Sequence, residues 1–207
     1  MAQYFDVHPQ NPQQRSLNQV ARILEGGGLI AYPTDSGFAL GCALGNGEGL
    51  ERIRRIRQLN DKHHFTLVVD EFGKLGQFVE MDNWIFRAVK AATPGPYTFI
   101  LKATREVPKV MQHPKKRTVG VRIPDHRTTL ALLDAVGTPL MSSTLILPGS
   151  SEAMTDGWTI KEELDHQVDA VLDSGDAGTE LTTVVDLSGD TPVVDRVGAG
   201  DPAPFES

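Results

Sequence analysis

The stretch Leu29-Ile30-Ala31-Tyr32-Pro33-Thr34-Asp35-Ser36-Gly37-Phe38-Ala39-Leu40-Gly41 decides the fold. A short apolar run stops at a proline. A hydroxyl, a carboxylate and a second hydroxyl follow, and two glycines then bracket an aromatic. The run predicts a strand that delivers Thr34, Asp35 and Ser36 to the edge of a sheet, with Gly37 and Gly41 permitting a tight turn or a close approach. Read locally, the same residues also describe a strand that ends in an ordinary polar turn.

Outward from this stretch the apolar period alternates between helix and strand. Upstream, Ser16 occupies an N-cap position ahead of Leu17, Val20, Ala21 and Leu24, and Gly26-Gly27-Gly28 ends that helix. Downstream, a helix is predicted over Leu50–Gln58, with others at Trp84–Ala92, Thr128–Val136 and Ile160–Leu164. Strands are predicted at Phe65–Val69, Tyr97–Lys102, Val119–Ile123, Pro139–Leu147, Val168–Leu172, Thr183–Leu187 and Val193–Val197. Ser150–Gly157 reads as a polar loop and the last residues as frayed. The mixture implies one α/β domain over residues 1–207, its core at about 12–200, with helices around a twisted mixed sheet.

Composition narrows the function classes. With 207 residues and 40% hydrophobic content the chain can bury a full core. A net charge of -7 disfavours a protein that coats nucleic acid with a generally basic surface, although a local basic patch stays open. The single cysteine, Cys42, excludes an internal disulfide and suits a reducing cytoplasm; between Gly41 and Ala43 it reads as a small packed residue. The first residues lack a basic and an apolar leader region, and no apolar run approaches the ~18 residues of a membrane span. The expectation is a cytoplasmic protein with no membrane partner.

Charged residues inside apolar patterns are the candidates for chemistry. On the helix starting at Leu50, Leu50, Ile53 and Ile56 mark the buried face, Arg52 and Arg55 fall away from it, and Arg57 falls on the apolar side. A guanidinium there needs an anionic partner: an ion pair within the chain, or a phosphate or carboxylate in a cleft. The third alternative is that the helix has ended and Arg57 points outward. Arg122 sits alone in an apolar strand, either exposed or reaching an anion at the strand end. Lys115-Lys116-Arg117 is most simply a solvated loop. Thr93-Pro94-Gly95-Pro96-Tyr97-Thr98 is a stiff helix-to-strand connection fit for a cleft wall. There is no P-loop and no metal-ligand spacing; the pair His63-His64 is adjacent.

The segments AYPTDSGFALGC, IRRIRQLNDKHHFTLVV, TPGPYTFIL, VGVRIPDHR, GTPLMSSTLILPG, TTVVDLS and DRVGAGD occur in this order. Together they resemble the YrdC/YciO family over nearly the full length, and in detail its YciO branch. The resemblance implies a twisted α/β sheet around a concave, positively charged cavity. It also implies the activity of the family's best understood members: synthesis of L-threonylcarbamoyladenylate from L-threonine, bicarbonate and ATP with its Mg²⁺. That product supplies N6-threonylcarbamoyladenosine in tRNA. By resemblance, Thr34 lies beside the threonine substrate, Thr98 and Arg122 line the cavity, and Thr183 and Arg196 lie near the nucleotide.

The chain departs from the synthases at two motifs. Their K-x-R-P stands here as Arg57-Gln58-Leu59-Asn60, and their S-x-N as Thr144-Leu145-Ile146. Arg57 and Thr144 keep a cation and a hydroxyl in catalytic positions, whereas Leu59 and Ile146 remove a charge and an amide. Each loss is worth about 1.5–3 kcal/mol of charged-ligand or transition-state stabilisation, together on the order of 10²–10⁴ in rate. Three functions are therefore carried forward: a slow synthase, a module that holds tRNA or double-stranded RNA in the cavity, and an adenylating enzyme for a related carbamoyl or acyl substrate whose pocket Leu59 and Ile146 reshape.

Overall fold

Leu29–Gly41 folds as a hairpin in the middle of a ten-stranded sheet. The computed structural model describes residues 1–206. In chain order its elements are β1 (Gln3–Asp6), α1 (Gln14–Glu25), β2 (Ile30–Thr34), β3 (Gly37–Ala43), α2 (Gly47–Arg57), β4 (Thr66–Val68), α3 (Asn83–Ala92) and β5 (Tyr97–Lys102). Then follow β6 (Thr118–Arg122), α4 (Arg127–Val136), β7 (Leu140–Thr144), α5 (Gly157–Glu163), β8 (Ala170–Asp173), β9 (Thr183–Asp186) and β10 (Val193–Arg196). The strands join in the order β1-β8-β2-β3-β7-β4-β6-β5-β9-β10, with parallel and antiparallel pairs interspersed. The α/β class and mixed sheet match the expectation.

The register explains how the sheet carries both a core and a site. Residues paired across strands share a face, and one row crosses all ten: Gln3, Ala170, Ile30, Gly41, Ser142, Thr66, Gly120, Ile100, Asp186 and Val193. After the exposed Gln3 its first half is small or apolar, and there α1 and α4 cover the sheet with Leu17, Val20, Leu24, Leu132 and Leu133. In its second half Thr66, joined on the same face by Thr98 and Thr144, brings hydroxyls, and the face turns from core to cleft. The opposite face is mainly apolar, with Phe38, Leu40, Leu67, Phe99, Val119 and Val121 packed beneath α2, α3 and α5. At roughly 25 cal/mol per Å² of apolar surface removed from water, this continuous layer is the main source of stability.

Several local expectations are corrected. Thr34-Asp35-Ser36 forms the tip of the β2–β3 hairpin in the sheet's interior order, not its edge. Gly37 does serve a tight turn and a close approach: it opens β3 at φ 95°, and a side chain there would strike the Ala153 methyl. Helix α1 starts before Ser16, at Gln14; Gln13 precedes it, its side-chain carbonyl taken by the His8 amide. Strand β7 ends at Thr144 because the chain folds back, the Ile146 amide bonding the Thr144 carbonyl. Ala203–Phe205 is docked, not frayed, with Phe205 buried against Tyr97 and Phe99; Ser207 lies outside the described residues. Cys42 packs in the core, where burial pushes its thiol up to about 12.

Candidate functional site

Where the helices leave the sheet uncovered, a cavity of about 350 Å³ opens over β4, β5, β7, β9 and β10. Strand alternation brings Thr66, Thr98, Thr144 and Thr182 to it, together with the apolar Ile100 and Val184. Gly120 keeps the floor thin, since a Cβ there would press on the Thr66 hydroxyl and the Thr98 methyl. A recess of about 20 Å³, room for roughly one water-sized group, continues from it past Ser143 and Thr144 to Thr34, Tyr32 and Arg122.

Three cations reach the cavity from different elements. Arg57, at the last turn of α2, donates from Nε to the Ile146 carbonyl (3.2 Å) and from Nη1 to Ser143 Oγ (2.5 Å). Arg196 on β10 donates from Nε to the Thr182 carbonyl (2.9 Å) and from Nη2 to Thr182 Oγ1 (3.0 Å), and that hydroxyl rests on Thr98 Oγ1 (2.9 Å). Neither guanidinium has a carboxylate partner among the described residues. Burial, then the nearby charge of Arg196, lowers Arg57 to about 10, and burial also lowers Arg196. Lys62 adds a third cation. Asp195 is the one acid lining the cavity among the described residues, and burial followed by Asp186 pushes its carboxyl up. Such a surface favours an anion, because the cost of desolvating two guanidiniums is offset only when negative charge enters.

The recess is arranged differently. Arg122, 6% exposed, is ion-paired to Asp35, donates to Ser36 Oγ (2.8 Å) and approaches Thr34 Oγ1 (3.5 Å). Asp35 also accepts the Asp125 amide (3.0 Å), tying the hairpin tip to the end of β6. Thr34 accepts the Ser36 amide (3.0 Å) and donates to the Gly37 carbonyl (2.7 Å). Tyr32 and Ser142 share a buried hydroxyl contact of 2.6 Å at the recess wall.

Of the residues singled out in the sequence, Arg57, Thr98, Thr144 and Arg196 meet in the cavity, and Thr34, Thr98, Arg122 and Thr144 at the recess. The anion that Arg122 reaches is Asp35 of its own chain. Thr183 is corrected by one position: it is fully buried on the other face, donating to the Gly200 carbonyl and accepting the Gly198 amide, while Thr182 faces the cavity. Leu59 packs against the core and does not line the cavity, so Ile146 alone of the two replacements alters the wall. Arg52 is not merely solvated; it pairs with Asp169 at 2.8 Å. Sequence reasoning missed Ser143, Thr182, His63 and His64. His63 Nε2 lies 3.0 Å from Ser143 Oγ, and burial followed by Arg57 holds its imidazole down to about 4. The adjacent pair His63-His64 is the available signal in the sequence, although it lacks metal spacing.

Comparison with known proteins places this arrangement. The family model Sua5_yciO_yrdC, described as "Telomere recombination", matches residues 22–198. The chain belongs to this family. Within the Sua5/YciO/YrdC family it is 49% identical to YciO of Escherichia coli strain K12 over 205 residues, 99% of this chain and 100% of the relative. The crystal structure of E. coli YciO superposes with a TM-score of 0.96 at 48% identity, covering 100% of both chains. A threonylcarbamoyl-AMP synthase of Vibrio vulnificus strain YJ016 is 29% identical over 160 residues, 76% of this chain and 85% of that one. The fold alone is shared with P. abyssi Sua5 complexed with L-threonine: TM-score 0.86, 23% identity, 94% of this chain and 57% of that one. Among the described residues no helix is long and apolar enough to cross a membrane.

Proposed function

We propose that this chain binds ATP with its Mg²⁺ in the cavity and joins it to L-threonine and bicarbonate, forming threonylcarbamoyl-AMP for tRNA modification. The observation that carries this reading is the pair Arg57 and Arg196, two half-buried guanidiniums facing one cavity without a carboxylate partner. A triphosphate supplies the missing charge, and Mg²⁺ enters on the phosphates as part of the substrate. The carbamate of threonine then attacks the α-phosphorus and pyrophosphate leaves; both guanidiniums stabilise the charge that builds on the phosphoryl oxygens. The threonine sits toward the recess, beside Thr34 and Thr144. Ile146 replaces an amide in the wall, so the reaction is slow relative to synthases that keep it. Pyrophosphate release that requires both L-threonine and bicarbonate tests the proposal. Release supported instead by another amino acid or acid would assign a related carbamoyl or acyl substrate.

A second reading, RNA binding, draws on a separate observation. Lys102, Arg105, Lys109, Lys115, Lys116 and Arg117 form an exposed basic run without ion pairs among the described residues. It abuts the cavity where His113 stacks on His64 at 4.9 Å. Six phosphate contacts give a log-log salt slope of about -4 to -5.5, so tRNA or double-stranded RNA affinity measured from low to moderate salt decides this reading.

A further inference from the structure

Ser143 stands in hydrogen-bond contact with His63 at the cavity wall. Ser143 Oγ is touched by two groups: Arg57 Nη1 at 2.5 Å and His63 Nε2 at 3.0 Å. A guanidinium only donates, so it occupies a lone pair of the oxygen. In the Nδ1–H tautomer His63 Nε2 accepts the hydroxyl proton across this 3.0 Å contact. The residue is 3% exposed, yet it lines both the cavity and the recess, standing where the two meet. It lies one residue before the end of β7, where the chain turns back. The imidazole is held in place by an edge-to-face contact with Phe65, ring centroids 5.4 Å apart, and by its backbone bond to Asn60.

We propose that Ser143 is a nucleophile with His63 as its base, and that the cavity transfers an acyl or carbamoyl group through an ester on Ser143 Oγ. A hydroxyl with a base at hydrogen-bond distance, a cation on its oxygen and anion-binding groups beside it has the parts that nucleophilic catalysis requires. In the first step Oγ adds to the carbonyl carbon of an acyl or carbamoyl adenylate. The carbon–oxygen bond to phosphate breaks, AMP leaves with the bonding pair, and the hydroxyl proton passes to Nε2 and on to the departing phosphate. In the second step water adds to the ester carbon, gives its proton to His63, and receives the acyl group as the bond to Oγ breaks; the imidazole returns a proton to Ser143. The sum is hydrolysis of the adenylate to AMP and the free acid, a side reaction that competes with release of the adenylate from the same cavity. Arg57 holds the nucleophile's oxygen, and its charge, with that of Arg196, faces the leaving phosphate. The identity of the substrate as an adenylate rests on the function proposed above; the nucleophile does not.

Methanesulfonyl fluoride, a small serine-directed probe, tests the dyad without any nucleotide: Oγ bonds to sulfur, fluoride leaves, and His63 takes the proton. Peptide mass mapping of the full chain is expected to place one methanesulfonyl group on Ser143. Ser143→Ala abolishes it, and His63→Gln slows it at least tenfold while melting cooperatively. Ser143→Thr, which keeps a hydroxyl, serves if the alanine variant does not fold, and is expected to retain slow labelling. No adduct on Ser143 in the folded wild type overturns the proposal, as does labelling at an equal rate in His63→Gln; Ser143 is then an anchor for Arg57 and His63. Adding AMP separates the two ideas. Slower labelling places nucleotide and nucleophile in one cavity, whereas unchanged labelling of Ser143 supports the dyad and contradicts nucleotide binding there.

Discussion

The guanidiniums of Arg57 and Arg196 face the same cavity from α2 and β10, and each is braced only by neutral oxygens. Ser143 and the Ile146 carbonyl hold the first; Thr182 holds the second. An arrangement of like charges with no internal counterion is costly unless a ligand completes it. This explains why a chain of net charge -7 keeps a cationic cavity.

Arg57→Ala and Arg196→Ala are each expected to weaken ATP by about 1.5–3 kcal/mol, roughly 10- to 150-fold. Arg52→Ala, on the same helix as Arg57, is expected to leave ATP affinity unchanged, because Arg52 faces Asp169 instead of the cavity. Isothermal titration of the three variants checks the contrast; equal losses in all three would contradict it.

Asp35→Ala strands the buried Arg122 without its carboxylate. Breaking one side of such a pair costs about 3–5 kcal/mol, so urea denaturation is expected to show a loss of that size. The double variant Asp35→Ala, Arg122→Met removes the uncompensated charge and is expected to recover part of it. A single variant as stable as wild type would mean that the pair does not organise the hairpin tip.

Stability should fall on the acid side of neutrality. His63 is lowered from 6.5 to about 4 in the folded chain, by burial first and then by Arg57, His64 and Arg54. The unfolded chain therefore binds the extra proton between these values, and folding weakens as pH drops from about 6.5 to about 4. His64 shifts in the same direction, burial first. The His63 contribution is up to about 3 kcal/mol, and His63→Gln is expected to flatten the stability profile across this window. A variant profile parallel to wild type would show that His63 is not desolvated.

Gly178→Ala places a methyl against the Asp35 carbonyl, which backbone on both sides prevents from yielding. The Gly178 amide also bonds the Thr34 carbonyl at 2.8 Å. Overpacking of this kind costs about 1–3 kcal/mol, read as a lower midpoint in thermal unfolding, and displaces the recess wall. An unchanged midpoint would mean that the 176–180 segment is free to move away.

Most of the architecture was legible because its elements obey a simple period. Leu50, Ile53 and Ile56 announced the buried face of α2, and the placement of Arg57 beside them located a cavity residue. Strand β3 was not legible as a strand: Gly37–Ala43 is buried on both faces, so no polar alternation marks it. The wheel could place Arg57 but not name its neighbours, since Ser143 and Ile146 arrive from β7 and the turn after it. Thr183 misled for a related reason. Threonines stand at both 182 and 183, and only the pairing of Thr98 with Val184 and of Val184 with Arg196 fixes which one faces the cleft. Arg122 required tertiary contact as well, because nothing local to β6 shows that Asp35 lies opposite.

The most direct measurement is mass-spectrometric detection of threonylcarbamoyl-AMP after incubating the purified chain with ATP, Mg²⁺, L-threonine and bicarbonate, with parallel reactions omitting each in turn. Product is expected only when all are present, in lower yield from Arg57→Ala and Arg196→Ala. No product from a folded protein that still binds ATP would contradict the proposed synthesis and leave the cavity to a different reaction.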